Sequence, residues 1–135
     1  MANALYDKGR EGFLDGSIDW DTDDIRAILI DLADYTPNLA THDFLDDVPA
    51  AARVAVSGSL AGKTVAAGVA DANDITFSAV SGDPSEAILI YKHTGSDATA
   101  RLIALIDTAT GLPVTPNGGD INVAWDNGAN KIFKL

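Results

Sequence analysis

The sequence predicts a mainly β protein: a single-domain β-sandwich or barrel with a short N-terminal helix or arm. Three observations carry that expectation. The 135 residues match the usual size of one domain, and 47% of them are hydrophobic, enough for a core that needs no staple. Beyond residue 50 the apolar residues come in short runs broken by Gly, Asn, Asp and Pro. The number and spacing of those runs suit packed sheets rather than alternating β and α units. No long repeat or linker interrupts the chain. Residues 1–20 are expected to form an arm, and residues 21–135 the β domain.

Residues 2–15 read as a short amphipathic helix, with Asn3 placed to cap it and Leu5, Tyr6, Phe13 and Leu14 as its apolar residues. Gly9 and Gly12 each cost about 1 kcal/mol relative to alanine inside a helix. Alone such a segment is marginal, so it must dock on its own domain or on a neighbouring subunit. Its apolar residues, with Trp20, are the candidate assembly contacts: Leu5, Tyr6, Phe13, Leu14 and Trp20. Removing residues 1–20 is expected to leave the β domain folded.

In residues 25–32, Ile25, Ile28, Leu29 and Leu32 fit helical spacing. The run is short and Ile-rich, however, and Tyr35-Thr36-Pro37-Asn38 follows as a turn, so a buried strand is expected. Thr41–Pro49 reads as one helical turn capped by Thr41 and ended before the proline. The strand runs are then Arg53–Ser57, Lys63–Val69, Asp74–Val80, Glu86–His93, Arg101–Asp107, Ile121–Asp126 and Lys131–Leu135. Asp126-Asn127-Gly128-Ala129-Asn130 is expected to join the last two as a hairpin.

Composition excludes several chemistries. There is no cysteine, hence no disulfide, thiolate zinc site, iron–sulfur cluster or cysteine nucleophile. Twenty acids against nine bases give a net charge of −11, which repels phosphate backbones and disfavours nucleic-acid partners. Residues 1–50 hold twelve of the acids and only three of the bases. No apolar run approaches ~18 residues, so no membrane span is expected, and the N-terminus lacks the pattern of a signal peptide.

Near-motifs fail at the positions their chemistry needs. Gly58-Ser59-Leu60-Ala61-Gly62-Lys63-Thr64 has three residues between its glycines where a phosphate-binding loop has four, and no helix is expected after it. Asp19-Trp20-Asp21-Thr22-Asp23-Asp24 opens like an EF-hand, but Asp24 stands where glycine is required and Ile30 where the bidentate glutamate belongs. That run is a solvated turn, an irregular cation site or a charged contact surface. His42 and His93 form no ligand pair, and no serine has a base visible in the sequence. Trp20 and Trp125 are expected in the core rather than as sugar-stacking platforms. No catalytic, cofactor or metal residues are therefore assigned.

Three groups of phrases carry a resemblance. Arg26–Asp31 is followed by Tyr35–Leu39 and Thr41–Val48; Ala87–Gly95 is followed by Arg101–Asp107; and the third group is Val114–Asp126, towards the end of the chain. In that order, and together with the opening Met1–Arg10, they resemble small virion structural proteins of tailed bacteriophages over nearly the whole chain. The resemblance implies a non-enzymatic particle component made in the host cytoplasm. An acidic protein would be repelled by packaged DNA, which favours a capsid decoration or cement protein on the outside of the shell. Its partners would be the major capsid protein or other virion proteins, and it would act as a homo-oligomer. A tail, neck or baseplate component is the alternative. A glycan-binding module is the third, and would need an exposed aromatic platform.

Overall fold

A computed structural model describes residues 3–135. The architecture is mainly β, with antiparallel sheets packed as a sandwich and no closed barrel. Strand β1 is Ala4–Leu5 and helix α1 is Asp7–Asp15. Next come β2 (Ile25–Ile30), β3 (Arg53–Val56), β4 (Thr64–Ala66), β5 (Val69–Asp71), β6 (Ile75–Phe77), β7 (Ala87–Lys92), β8 (Leu102–Ile106), β9 (Ile121–Val123) and β10 (Phe133–Lys134). The central sheet has the order β1-β8-β7-β2-β3, and two smaller sheets have the orders β10-β5-β4 and β6-β9.

The central strands are nearly continuous apolar runs because both faces of their sheet are buried. β2 and β7 pair in unbroken register from Ile25↔Lys92 to Ile30↔Ala87. One face carries Ile25, Ala27, Leu29, Ile88 and Ile90, and packs with Trp20, Trp125, Ala70 and Phe77 under the two smaller sheets. The other carries Ile28, Ile30, Leu89 and Tyr91, roofed by Tyr35, Leu45 and Val48 from the segment between β2 and β3. On that side a buried chain of hydrogen bonds runs from the Tyr6 hydroxyl to the Tyr35 hydroxyl (2.8 Å) and on to His42 Nδ1 (2.9 Å). His42 Nδ1 also accepts the Asn38 N–H, so Tyr35 donates to it and Tyr6 donates to Tyr35. Burial pushes the Tyr6 phenol far above its usual range, and its bond to Tyr35 pushes it the same way.

Residues 3–20 are not an appendage, which corrects the boundary expected at residue 20. β1 pairs with β8 (Ala4↔Leu105, Leu5↔Ala104), and the Tyr6 N–H donates to the Ile103 carbonyl. α1 then lies against β8, and its glycines explain how. A methyl group on Gly9 would stand 2.7 Å from the Leu102 carbonyl oxygen and 2.9 Å from Ile103 Cα. One on Gly12 would stand 2.5 Å from Ile18 Cδ1. Gly9 is thus what lets the helix touch the sheet, and Gly12 makes room for the Ile18 side chain. Asn3 is not the helix cap. Its side chain accepts the Asp107 and Thr108 N–H groups and donates to the Thr108 carbonyl, so it fastens the end of β8.

Two further local readings change. The turn before Pro49 is a 3-10 helix, Leu45–Asp47, preceded by Phe44 rather than capped by Thr41. The Asp126–Asn130 turn does not close a hairpin, because β9 pairs with β6 and β10 with β5. The tight hairpin is instead β4–β5, turned by Ala67 (φ 51°) and Gly68 (φ 78°), both left-handed as a type I′ turn requires.

Candidate functional site

The five expected contact residues separate into two groups. Leu5, Tyr6 and Trp20 belong to the protein's own core, and Tyr6 is 0% exposed. The Trp20 indole donates to the Asp71 carbonyl (3.0 Å) and meets the Phe133 ring edge-on at 5.2 Å. Leu5 and Tyr6 are closed to a partner and are not contacts, whereas Trp20, buried as it is, still forms part of the wall of the groove described next. Phe13 is half-buried, 5.8 Å from the Phe133 ring centre, and Leu14 is 83% exposed.

Phe13 is one wall of an open groove of about 260 Å³, whose other lining includes Trp20, Val65, Ala70, Phe133 and Leu135. The sheet register builds it. Val65, Ala70 and Phe133 are cross-strand partners on β4, β5 and β10, so their side chains share one face. Ala70 is buried, whereas Val65 and Leu135 remain 56% and 54% exposed. Sequence reasoning missed Val65, Phe133 and Leu135 because the groove unites three segments distant in the chain.

The acidic run beside the groove is held by its own domain. Asp23 bridges to Lys92 at 3.1 Å, and the Asp23 carbonyl accepts the Lys63 ammonium. Asp24 bridges to Arg26 at 3.0 Å and accepts the Ser59 hydroxyl. Arg26 holds the Asp24 carboxyl below its ordinary range, against a smaller opposing effect of burial. Asp19 and Asp21 hydrogen-bond to one another, which lowers Asp19 and raises Asp21. These carboxylates are thus divided among different partners and do not converge as a cation site. Among the described residues, acids gather closely at Asp31, Asp34 and Asp83, and at Asp43, Asp46 and Asp47. There the Asp31 and Asp47 carboxylates accept the N–H groups of Ala33 and Asp43, as turn residues do.

Other features also have structural uses. Residues 57–63 run from β3 into β4 with no helix, so the backbone cradle of a nucleotide site is missing. The Trp125 indole is buried and donates to the Asn73 carbonyl at 3.0 Å, so it offers no platform to a sugar ring. A cleft of about 400 Å³ over Leu29 and Ile88 is lined without any titratable side chain. Its walls cannot exchange a proton. No protein-family model matches this chain, and no curated protein matches it in sequence.

Proposed function

We propose that this chain is a non-enzymatic structural protein of a tailed-bacteriophage particle, a decoration protein that binds the outside of the shell and reinforces it. The observation that carries the reading is the groove between α1 and β10. Phe13, Val65, Phe133 and Leu135 lie open there on a protein of net charge −11. Apolar side chains left open together mark contact surfaces, and a few such anchors dominate the binding energy of an interface. Exposed ion pairs add only about 0–1 kcal/mol each, so the acids tune attachment rather than supply it. The resemblance to phage virion proteins supplies the particle context, and the negative charge suits the exterior of a DNA-filled shell.

The test is a reconstruction of the particle with a count of copies. A decoration protein stands over the capsid lattice in a fixed ratio to the major subunit, with the groove against the shell. Leu135→Glu, at an exposed position on the wall of the groove, should abolish attachment while the free protein stays folded. Copies confined to the tail would overturn the capsid assignment. Absence from the particle would overturn the whole reading.

A further inference from the structure

Among the described residues, no strand lies beside the outer sides of β3 and β4. Open edges invite pairing, and proteins ordinarily guard them with charge, above all lysine. Among the edge strands, β10 contains Lys134 and follows Lys131, β6 follows Asp74, and β9 is flanked by Asp120 and Asp126. β3 opens on Arg53 and β4 directly follows Lys63, but the rest of that stretch carries no charge. From Val54 to Ala70 the chain carries one charge, Lys63, where its overall 21% would place three or four. Even that ammonium is directed to the Asp23 carbonyl. Arg53, at the start of β3, is turned away onto the carbonyls of Leu45 and Val48 and the Asp97 carboxylate.

The same stretch is open to solvent. Val56 is 50% exposed, and Ala61, Thr64, Ala66 and Ala67 are exposed. In the β4–β5 hairpin Ala66 and Val69 flank the two-residue turn as the bonded pair, so Val65 directs its N–H and C=O outward. Its side chain meanwhile faces the groove. The edge and the groove are therefore separate surfaces that share one residue.

We infer that residues 54–70 form a self-association surface, and that its occupant is a second copy of this chain meeting it across the open edges of β3 and β4. Charge selects that occupant. Two copies of net charge −11 repel each other wherever their acids face, and this uncharged strip lets them approach without that cost. A basic partner would be drawn instead to the acid-rich residues 1–50. Antiparallel edges also pair with their own kind about a two-fold axis, which makes a self-complementary contact simple to form. The inference goes beyond the particle reading and does not need it, since the strip would act alike in any acidic protein.

The test is the mass of the purified full chain in solution, by sedimentation or light scattering. A concentration-dependent oligomer is expected, present by about 100 μM protein. Raising salt should strengthen it several-fold, because screening removes repulsion between the copies. Val56→Glu with Ala66→Glu, both at exposed positions, should weaken it by about tenfold or more. Circular dichroism should show the variant folded, and the groove residue Val65 is left in place. Leu14→Glu, on α1, should leave the mass unchanged. A wild-type chain that stays monomeric would overturn the inference. So would an oligomer that ignores the Glu pair, one that dissociates as salt rises, or one that Leu14→Glu disrupts instead.

Discussion

The two edges of the central sheet are treated in opposite ways. Along β8 the chain lays β1 and then α1, closing the edge with backbone pairing and a helix brought close at Gly9. Along β3 it lays no strand among the described residues, and past Arg53 the chain carries a single charge, Lys63, as far as Ala70. Both edges face the same hazard of unwanted pairing. The difference teaches that the N-terminal segment is part of the fold, and that the segment after β3 is the better place to look for a neighbour. The expectation from sequence gave assembly to residues 1–20, where Phe13 and Leu14 do remain open, and gave nothing to residues 54–70.

The largest effect should come from removing the covered edge altogether. Leu5, Tyr6, Ile18 and Trp20 are all buried, and burial of each contributes about 1.5–3 kcal/mol. Together they account for most of the ~5–15 kcal/mol that separates a folded domain from its unfolded chain. A chain of residues 21–135 should therefore lose cooperative unfolding and its near-ultraviolet dichroism. If it unfolds as sharply as the full-length protein, the N-terminal segment is an accessory after all.

A smaller and sharper comparison makes one substitution on each edge. Alanine is favoured over glycine in a helix by about 1 kcal/mol. At Gly9, however, the new methyl meets the backbone of Leu102 and Ile103, which has little room to yield. Overpacking of this kind costs about 1–3 kcal/mol, so Gly9→Ala should destabilise despite its helix propensity. At Gly58, in the loop after β3, a methyl meets nothing within 4 Å, and Gly58→Ala should stay within about 0.5 kcal/mol of wild type. Denaturant unfolding of both variants checks the pair. Equal stabilities would mean that α1 can ride up from the sheet without loss.

Much of the fold was legible because its central strands are buried on both faces. Ile25–Ile30, Ala87–Lys92 and Leu102–Ile106 are nearly continuous apolar runs, bounded by turn residues, and each expected run contains an observed strand. Lys63–Val69, however, is not one strand but β4, the turn at Ala67 and Gly68, and the first residue of β5. Pairing was not legible. Asp126–Asn130 has the composition of a turn, but composition cannot say that β9 will leave it for β6 and β10 for β5. Part of the candidate site was visible, since Phe13 and Leu14 are apolar residues on an otherwise polar helix. Leu5, Tyr6 and Trp20 looked the same in sequence. Only the tertiary structure tells which apolar side chains the protein's own sheets claim and which remain open.

The smallest predicted effect concerns what holds the open side in place. There the start of β2 is tied to the loop after β3 by the packing of Leu60 beside Ile25 and by polar contacts, through Arg26 and the Ser59 hydroxyl on the Asp24 carboxylate. Arg26 first, and Ser59 after it, keep that carboxyl below the usual carboxylate range. A group whose folded value is depressed releases its proton more readily in the native state than in the unfolded chain. Its contribution is therefore complete above the unfolded value, near 3.9 for an aspartate. It fades as pH falls from there through the folded value, where protonation breaks the ion pair. Asp24→Asn keeps the shape and removes the titration. The variant should be slightly less stable than wild type at neutral pH, and the gap should close as the medium is acidified below about pH 4. Unfolding curves of the two proteins at neutral and acidic pH measure the gap directly. A difference that stays constant would show that the Asp24 contacts hold the loop by shape alone.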